Sequence, residues 1–142
     1  MSSKKQHKPQ RFIVDEDLGK TFYQVLAESG KFEVQLFEEI WDGGTIDPEW
    51  IPLTAEKGLI VLTHDKRIRK AHRDIVIKAG ARIIVFSGTK PHEKADWFVR
   101  SQAKIHRFVK KNEGPYFARF TPPSPSEIEK KQKPTGKIVL QK

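Results

Sequence analysis

Arg11-Phe-Ile-Val-Asp15-Glu16-Asp17-Leu18-Gly19 is the stretch from which the rest of the chain is read. Phe12, Ile13 and Val14 form an unbroken apolar run, the mark of a strand covered on both faces, as in a sheet flanked by helices. Three carboxylates follow at once. Neighbouring carboxylates repel, so one must take up a proton or a cation must sit among them. In an open α/β sheet the ligand crevice lies at the carboxyl ends of the strands. The electrostatic conflict therefore falls where ligands bind, and the expectation is a divalent cation held by oxygen ligands.

Leu18, Phe22, Val25, Leu26 and Ser29 share one helical face, and Gly30 suits a helix stop. Phe32 to Phe37 alternates as a second strand, and Glu38 to Thr45 reads as an acidic loop with a turn at Gly43-Gly44. Asp47-Pro48 opens a short helix, which Pro52 is expected to kink or confine to its first turn. Leu59 to Thr63 is a second buried strand, ending at His64-Asp65 as the first ends at Asp15. A basic helix follows, with Ile68, Ala71, Ile75 and Val76 inward and Lys66, Arg67, Arg69, Lys70 and Arg73 outward. Ala81 to Phe86 reads as a core strand, with a turn at Ser87 to Thr89. Pro91 to Asn112 reads as the longest helix. Its apolar face runs from Trp97 to Val109, and a stripe of Arg100, Lys104, Arg107 and Lys111 lies opposite. Pro115 to Phe120 reads as an edge strand, because proline cannot donate to a ladder. This order of elements predicts an α/β domain, a three-layer α/β/α sandwich with a mostly parallel central sheet.

The chain has 142 residues, enough for one domain with a substantial core and not for two. The expected division is a basic disordered tail over 1–10, the domain over 11–121, and a Pro- and Lys-rich extension over 122–142. Within that extension, Ile138-Val139-Leu140 could pair with a sheet edge or with a partner. The formal net charge is +9, concentrated toward the ends: Lys4, Lys5 and Lys8 lie in the first ten residues, and five lysines against Glu127 and Glu129 lie in the last twenty-two. Such a balance favours a polyanionic partner such as RNA, or an acidic protein; its plainer meaning is a solvated surface. No apolar run approaches the roughly 20 residues of a membrane span. Met1 to Gln10 has no apolar signal core. The chain has no cysteine, which excludes disulfides and thiolate metal sites and suits a reducing cytoplasm.

Acidic residues recur at comparable places. Asp15 and Asp17 follow the first strand, Asp47 starts the helix leading to the second long strand, and Asp65 follows that strand. If the two long strands are neighbours, all converge at one sheet edge. Hard oxygen ligands without cysteine or clustered histidine suit Mg²⁺ or Mn²⁺ rather than zinc. Such an ion can lower the pKa of a bound water and neutralise a phosphate, while basic residues hold a nucleic-acid backbone nearby. Plainer roles exist for each residue. Asp47 and Asp65 suit helix caps, Asp17 could cap the helix from Leu18, and Glu16 points to solvent. His64 reads as a surface residue. Thr63 could bond the loop backbone or a metal-bound water, and Trp41 and Trp50 could pack or stack on bases.

The combination of Phe12-Ile-Val-Asp15-Glu16-Asp17-Leu18-Gly19, then Asp47 with Ala55, then Leu59-Ile-Val-Leu-Thr63-His64-Asp65-Lys-Arg-Ile68 resembles the PIN-like nuclease family. Within it, the likeness is to the small proteins found as toxins of VapBC-type toxin–antitoxin modules. The resemblance spans roughly residues 11 to 90. It implies a parallel-sheet α/β/α sandwich whose acidic residues bind Mg²⁺ or Mn²⁺ for RNA cleavage. It places Asp15 at the first metal-binding acid, Asp47 at the acid before the helix preceding the last motif, and Asp65 at the acid after Thr63. Asp17 falls where the family often has Asn or Ser. It further implies a cognate antitoxin protein as partner and, by analogy, a homodimer. Larger PIN domains carry a Glu on an inserted helical pair, for which this chain is too short; Glu38 or Glu39 would have to substitute. Ile68 stands where the family often has an aromatic residue, and the extension past Pro122 is not part of the pattern.

The leading expectation is a metal-dependent endoribonuclease, the toxin of a toxin–antitoxin pair. Asp15, Asp47 and Asp65 hold the metal, Asp17 assists, and Lys66, Arg67, Arg69, Lys70, Arg73, Arg100, Lys104 and Arg107 hold RNA. The alternative is a catalytically degenerate PIN-like module that binds RNA or protein. A receiver-like signalling domain also gathers acids at strand ends, but it needs a lysine directly after Val85-Phe86, and Lys90 comes only after a turn.

Overall fold

The computed structural model describes residues 10–41, 47–87, 91–130 (side chains from 93 onward) and 133–141. The basic tail over 1–9, the Gly43-Gly44 turn and the turn after Ser87 lie outside the described residues.

Six strands form one sheet: β1 (Arg11–Val14), β2 (Glu33–Leu36), β3 (Leu59–Thr63), β4 (Arg82–Phe86), β5 (Tyr116–Thr121) and β6 (Lys137–Gln141). Their order is β2-β1-β3-β4-β5-β6, parallel throughout except for the antiparallel pair β5–β6. The eight helices among the described residues are α1 (Gly19–Ser29), α2 (Phe37–Ile40), α3 (Asp47–Glu56), α4 (Ile68–Ala71), α5 (Arg73–Ala79), α6 (Pro91–Arg100), α7 (Gln102–Lys111) and α8 (Pro125–Lys130).

Strand alternation builds two cores. Phe12, Val14, Ile60, Leu62, Ile84 and Phe86 face α1, α6 and α7, while Ile13, Val61, Ile83 and Val85 face α3, α4 and α5. This is the three-layer α/β/α sandwich with a mostly parallel central sheet, and it explains why β1 and β3 carry apolar residues on both faces. The first core is aromatic: Phe98 lies edge-on to Phe12 and Phe120, with ring centroids 6.1 and 5.2 Å apart.

Several local expectations are corrected. Phe37 leaves β2 and opens α2, where Glu39 accepts the Leu36 backbone N–H at 2.9 Å, so part of the expected acidic loop is helical. Pro52 does not end α3, which continues to Glu56. The basic helix breaks at His72, whose backbone (φ −128°, ψ 25°) leaves the helical region, and Ala71 is consequently exposed. The long helix breaks at Ser101. Its hydroxyl donates to the Trp97 carbonyl at 2.7 Å and accepts the Gly136 N–H at 2.8 Å. The strand after Pro115 is not an edge. Pro115 precedes β5 and takes no ladder position, and β5 lies between β4 and β6.

Residues 137–141 of the C-terminal extension form the last strand of the same sheet. Gly136 enters that strand against the Phe120 ring, where an added Cβ would fall 2.3 Å from a ring carbon. Among the described residues no helix is long and apolar enough to cross a membrane.

Candidate active site

The site begins with the β1–β3 register. Val14 sits opposite Leu62, so the two strands end level. The Asp15 N–H continues the ladder by one rung, donating to the Leu62 carbonyl at 2.9 Å. Glu16–Leu18 then form a single 3-10 turn, closed by the Leu18 N–H on the Asp15 carbonyl at 3.1 Å and anchored by buried Leu18. Gly19, at φ 86°, makes the sharp passage into α1. The turn brings Asp17 back over the end of β3 and leaves Glu16 exposed, as its place in the sequence predicts.

Thr63, fully buried, is the centre of the arrangement. Its hydroxyl donates to Asp15 Oδ2 at 2.8 Å, with the oxygens of Asp17 at 3.3 and 3.4 Å, and accepts the Asp65 N–H at 3.1 Å. The His64 N–H completes the hold on Asp17, at 3.2 and 3.3 Å from its two oxygens. Thus a strand-end Thr-His-Asp segment fixes three carboxylate-bearing residues through one hydroxyl and two amides.

Asp65 and Asp47 complete the acidic set. Asp65 accepts the Arg67 backbone N–H at 2.9 Å and Nε at 3.0 Å, the geometry of a residue closing the turn before α4. Asp47, the first residue of α3, accepts the Trp50 indole N–H at 2.8 Å and faces His72 Nε2 at 3.3 Å. Its carboxylate therefore braces Trp50 and His72 as well as bordering the site. Trp50 is buried and edge-on to Phe37, so it is a packing residue and not a base-stacking platform. Trp41, half-buried, also packs on Phe37.

All four aspartates line one open cleft of about 640 Å³. Phe37 and Trp50 form its apolar wall, and His64, Lys66 and Arg67 its polar rim. The electrostatics match this crowding. Burial, then the charge of Asp17, pushes the Asp15 carboxyl up to about 6, against the Thr63 hydrogen bond. Burial also raises Asp17, although the His64 amide and Thr63 favour its ionised form. Burial acts on Asp65 in the same sense, but the hydrogen bonds and charge of Arg67 outweigh it and hold the carboxyl below its ordinary value. Among the described residues, no three acidic or histidine side chains are drawn close enough to form a finished metal shell. The donor set is nonetheless all oxygen, as a hard divalent cation requires. A cation entering between Asp15 and Asp17 would relieve their repulsion, and would compete with Arg67 for Asp65 and with His72 for Asp47.

The expected RNA-binding residues divide. Lys66, Arg69, Lys70 and Arg73 line a second cleft of about 300 Å³, and Lys66 belongs to the acidic cleft too. Arg100, Lys104 and Arg107 sit on α6 and α7, which cover the opposite face of the sheet. There Arg100 stacks over Trp97 at 5.1 Å, and Lys104 donates to Thr135 Oγ1 at 2.8 Å and the Gly136 carbonyl at 2.9 Å. The eight cations thus do not form one surface with the aspartates.

Two residues escape the sequence reading. His72 bears on both Asp47 and Asp65. Lys94, in the first turn of α6, is only 2% exposed, and burial depresses its pKa while Asp17 acts on it electrostatically. A lysine so placed is rare without a countercharge. The available signal was topological: α6 follows β4, the neighbour of β3, so its first turn lies at the same sheet edge as the acids.

A family model described as PIN like domain matches residues 10–88, which is more than half of the chain and contains all four aspartates. No curated protein and no solved structure matches.

Proposed function

The chain belongs to the PIN-like domain family, and from that premise we propose that it is a metal-dependent endoribonuclease. The observation that carries this reading is the shared cleft: Asp15, Asp17, Asp47 and Asp65, drawn from distant parts of the sequence, surround it, and Asp15 is held near pKa 6. Like charges concentrated at this cost to stability are a feature of functional sites. Mg²⁺ or Mn²⁺ is the cofactor that suits the set. When bound it would supply Lewis-acid stabilisation of the phosphate and a water of lowered pKa.

The chain's own residues do the remaining work. Thr63 orients Asp15, the His64 amide fixes Asp17, and the two form the inner wall of the cleft. Asp47 and Asp65 form its outer wall once released from His72 and Arg67. Lys66, Arg69, Lys70 and Arg73 hold the RNA backbone along the adjoining basic cleft, and Lys94 acts electrostatically on Asp17. We assign the protein to the toxin side of a cytoplasmic toxin–antitoxin pair, with a cognate antitoxin protein as partner and a homodimer as its assembly.

The test is cleavage of single-stranded RNA with and without Mn²⁺, comparing the parent with Asp15→Asn. Cleavage by the parent that requires the metal, and its loss in the folded variant, is expected. Equal cleavage by both proteins would overturn the assignment. A second reading, a degenerate module that binds RNA or protein, is favoured by the partners already held by Asp47 and Asp65. It predicts salt-sensitive RNA binding with no metal-dependent product, and no difference in Mn²⁺ heat between the parent and Asp65→Asn.

A further inference from the structure

The last strand of the sheet is built firmly and left open on its far side. Gly136 is bound to Ser101 at 2.8 Å and Lys137 to Glu127 at 3.3 Å, and Ile138 packs into the aromatic core. One edge of β6 pairs with β5. Among the described residues nothing pairs with the other edge. Proteins ordinarily blunt such an edge with charge at its centre. Here the centre is Val139 and Leu140, 57% and 53% exposed, two of the four exposed large apolar residues among those described.

Beside this edge runs a groove of about 470 Å³ between α7 and β6. Phe108, Ile138 and Leu140 give it an apolar floor, and Arg107 and Lys111 a basic wall. Lys104 adds a third cation, whose acceptors, Thr135 Oγ1 and the Gly136 carbonyl, are neutral. Among the described residues none of the three is paired with a carboxylate.

We propose that this edge and groove take an acidic, extended segment of another protein, added to β6 as a further strand. Backbone hydrogen bonds to the open edge would supply the affinity, and alternate side chains the selectivity. Carboxylates on the face toward α7 would reach Arg107 and Lys111, while apolar residues on the opposite face cover Val139. Two other occupants fit less well. RNA stacks its bases on open aromatic faces, but the Phe108 ring packs against Tyr116, centroids 5.4 Å apart. A second copy of this chain, with net charge +9, would bring more cations to a cationic groove. Because β6 is held in place before any partner arrives, the ordering cost falls on the incoming segment alone.

The experiment uses the full chain and three probes: a short synthetic peptide alternating Glu with Val, its counterpart with Lys for Glu, and a single-stranded oligouridine. Backbone amide NMR shifts and hydrogen exchange are read for each. The Glu peptide is expected to shift and protect amides of β6 and shift those of α7, and Arg107→Glu or Leu140→Asp to weaken it by about tenfold or more. Equal binding of the Lys peptide, no effect of the Glu peptide on β6, or stronger perturbation of β6 by oligouridine would each overturn the proposal. So would β6 shifts that follow protein concentration without any probe, which would assign the edge to a second copy.

Discussion

The Thr63 hydroxyl lies 2.8 Å from Asp15 Oδ2 across a separation of 48 positions. It is the tightest link between the two strand ends that frame the cleft, and it fixes the Asp15 carboxylate against the end of β3. Removing the hydroxyl leaves Asp15 with less to favour its ionised form. Thr63→Val is expected to lose about 1 to 2 kcal/mol at neutral pH and to drive the Asp15 pKa above its present value of about 6. Thr63→Ser restores both. Urea unfolding and NMR titration of the carboxyl carbon check the pair.

Asp15 itself weakens the metal-free fold. Its pKa rises from 3.8 unfolded to about 6 folded. Below the unfolded value the carboxyl is protonated in both states and there is no penalty. As pH rises through the window between the two values the unfolded chain ionises first, and the native state loses up to about 3 kcal/mol, less what solvent screening restores. Asp15→Asn removes this loss. It is expected to be more stable than the parent at neutral pH in chelator and equal to it below the window. Denaturant midpoints against pH test this; a parent whose stability is flat across the window would contradict it.

Arg67 holds Asp65 at 3.0 Å from an almost fully exposed position. Arg67→Gln frees that carboxylate without disturbing the core. The Asp65 pKa is expected to move up toward its ordinary value, and Mn²⁺ to bind more tightly because one competitor for the ligand is gone. Calorimetry at fixed ionic strength measures it. Unchanged binding in the variant would mean that Asp65 does not face the ion.

Lys94 is buried and feels the charge of Asp17. Lys94→Met keeps most of the side chain's volume and removes its charge, so the Asp17 pKa should rise further and the cleft should become more negative. In a cleavage assay the variant is expected to raise KM for RNA more than it lowers kcat, and Lys94→Arg to recover part of the loss. Mn²⁺ affinity should not fall, since the lost charge repelled the ion.

Much of this was legible because it is local. Apolar runs ending in acids disclosed β1 and β3, and the lack of a polar break within them disclosed a sheet with both faces covered. What was not legible depends on residues far apart in sequence. The apolar face of the long helix continues through Ser101, so nothing in its periodicity marks the break between α6 and α7; the Gly136 amide, 35 positions away, helps to hold it. Pro115 suggested an edge because proline cannot donate to a ladder, but it precedes β5, and β6, which covers β5, comes later in the chain. The aspartates were visible as a set, but not the engagement of two of them by Arg67 and His72. His72 sits at a break in a helix read as continuous, and Lys94 lies on an amphipathic helix where a lysine looks like ordinary surface.

The family match stops at residue 88, within two positions of the end of β4, but the sheet does not. Phe86 rests on Phe120, and Phe120 on the bare backbone of Gly136. A gene trimmed to the recognisable segment would encode a slab with one flank stripped of β5, α6 and α7, its phenylalanines open to water. Such a fragment is expected to aggregate, and a unit meant for production and assay should run through β6.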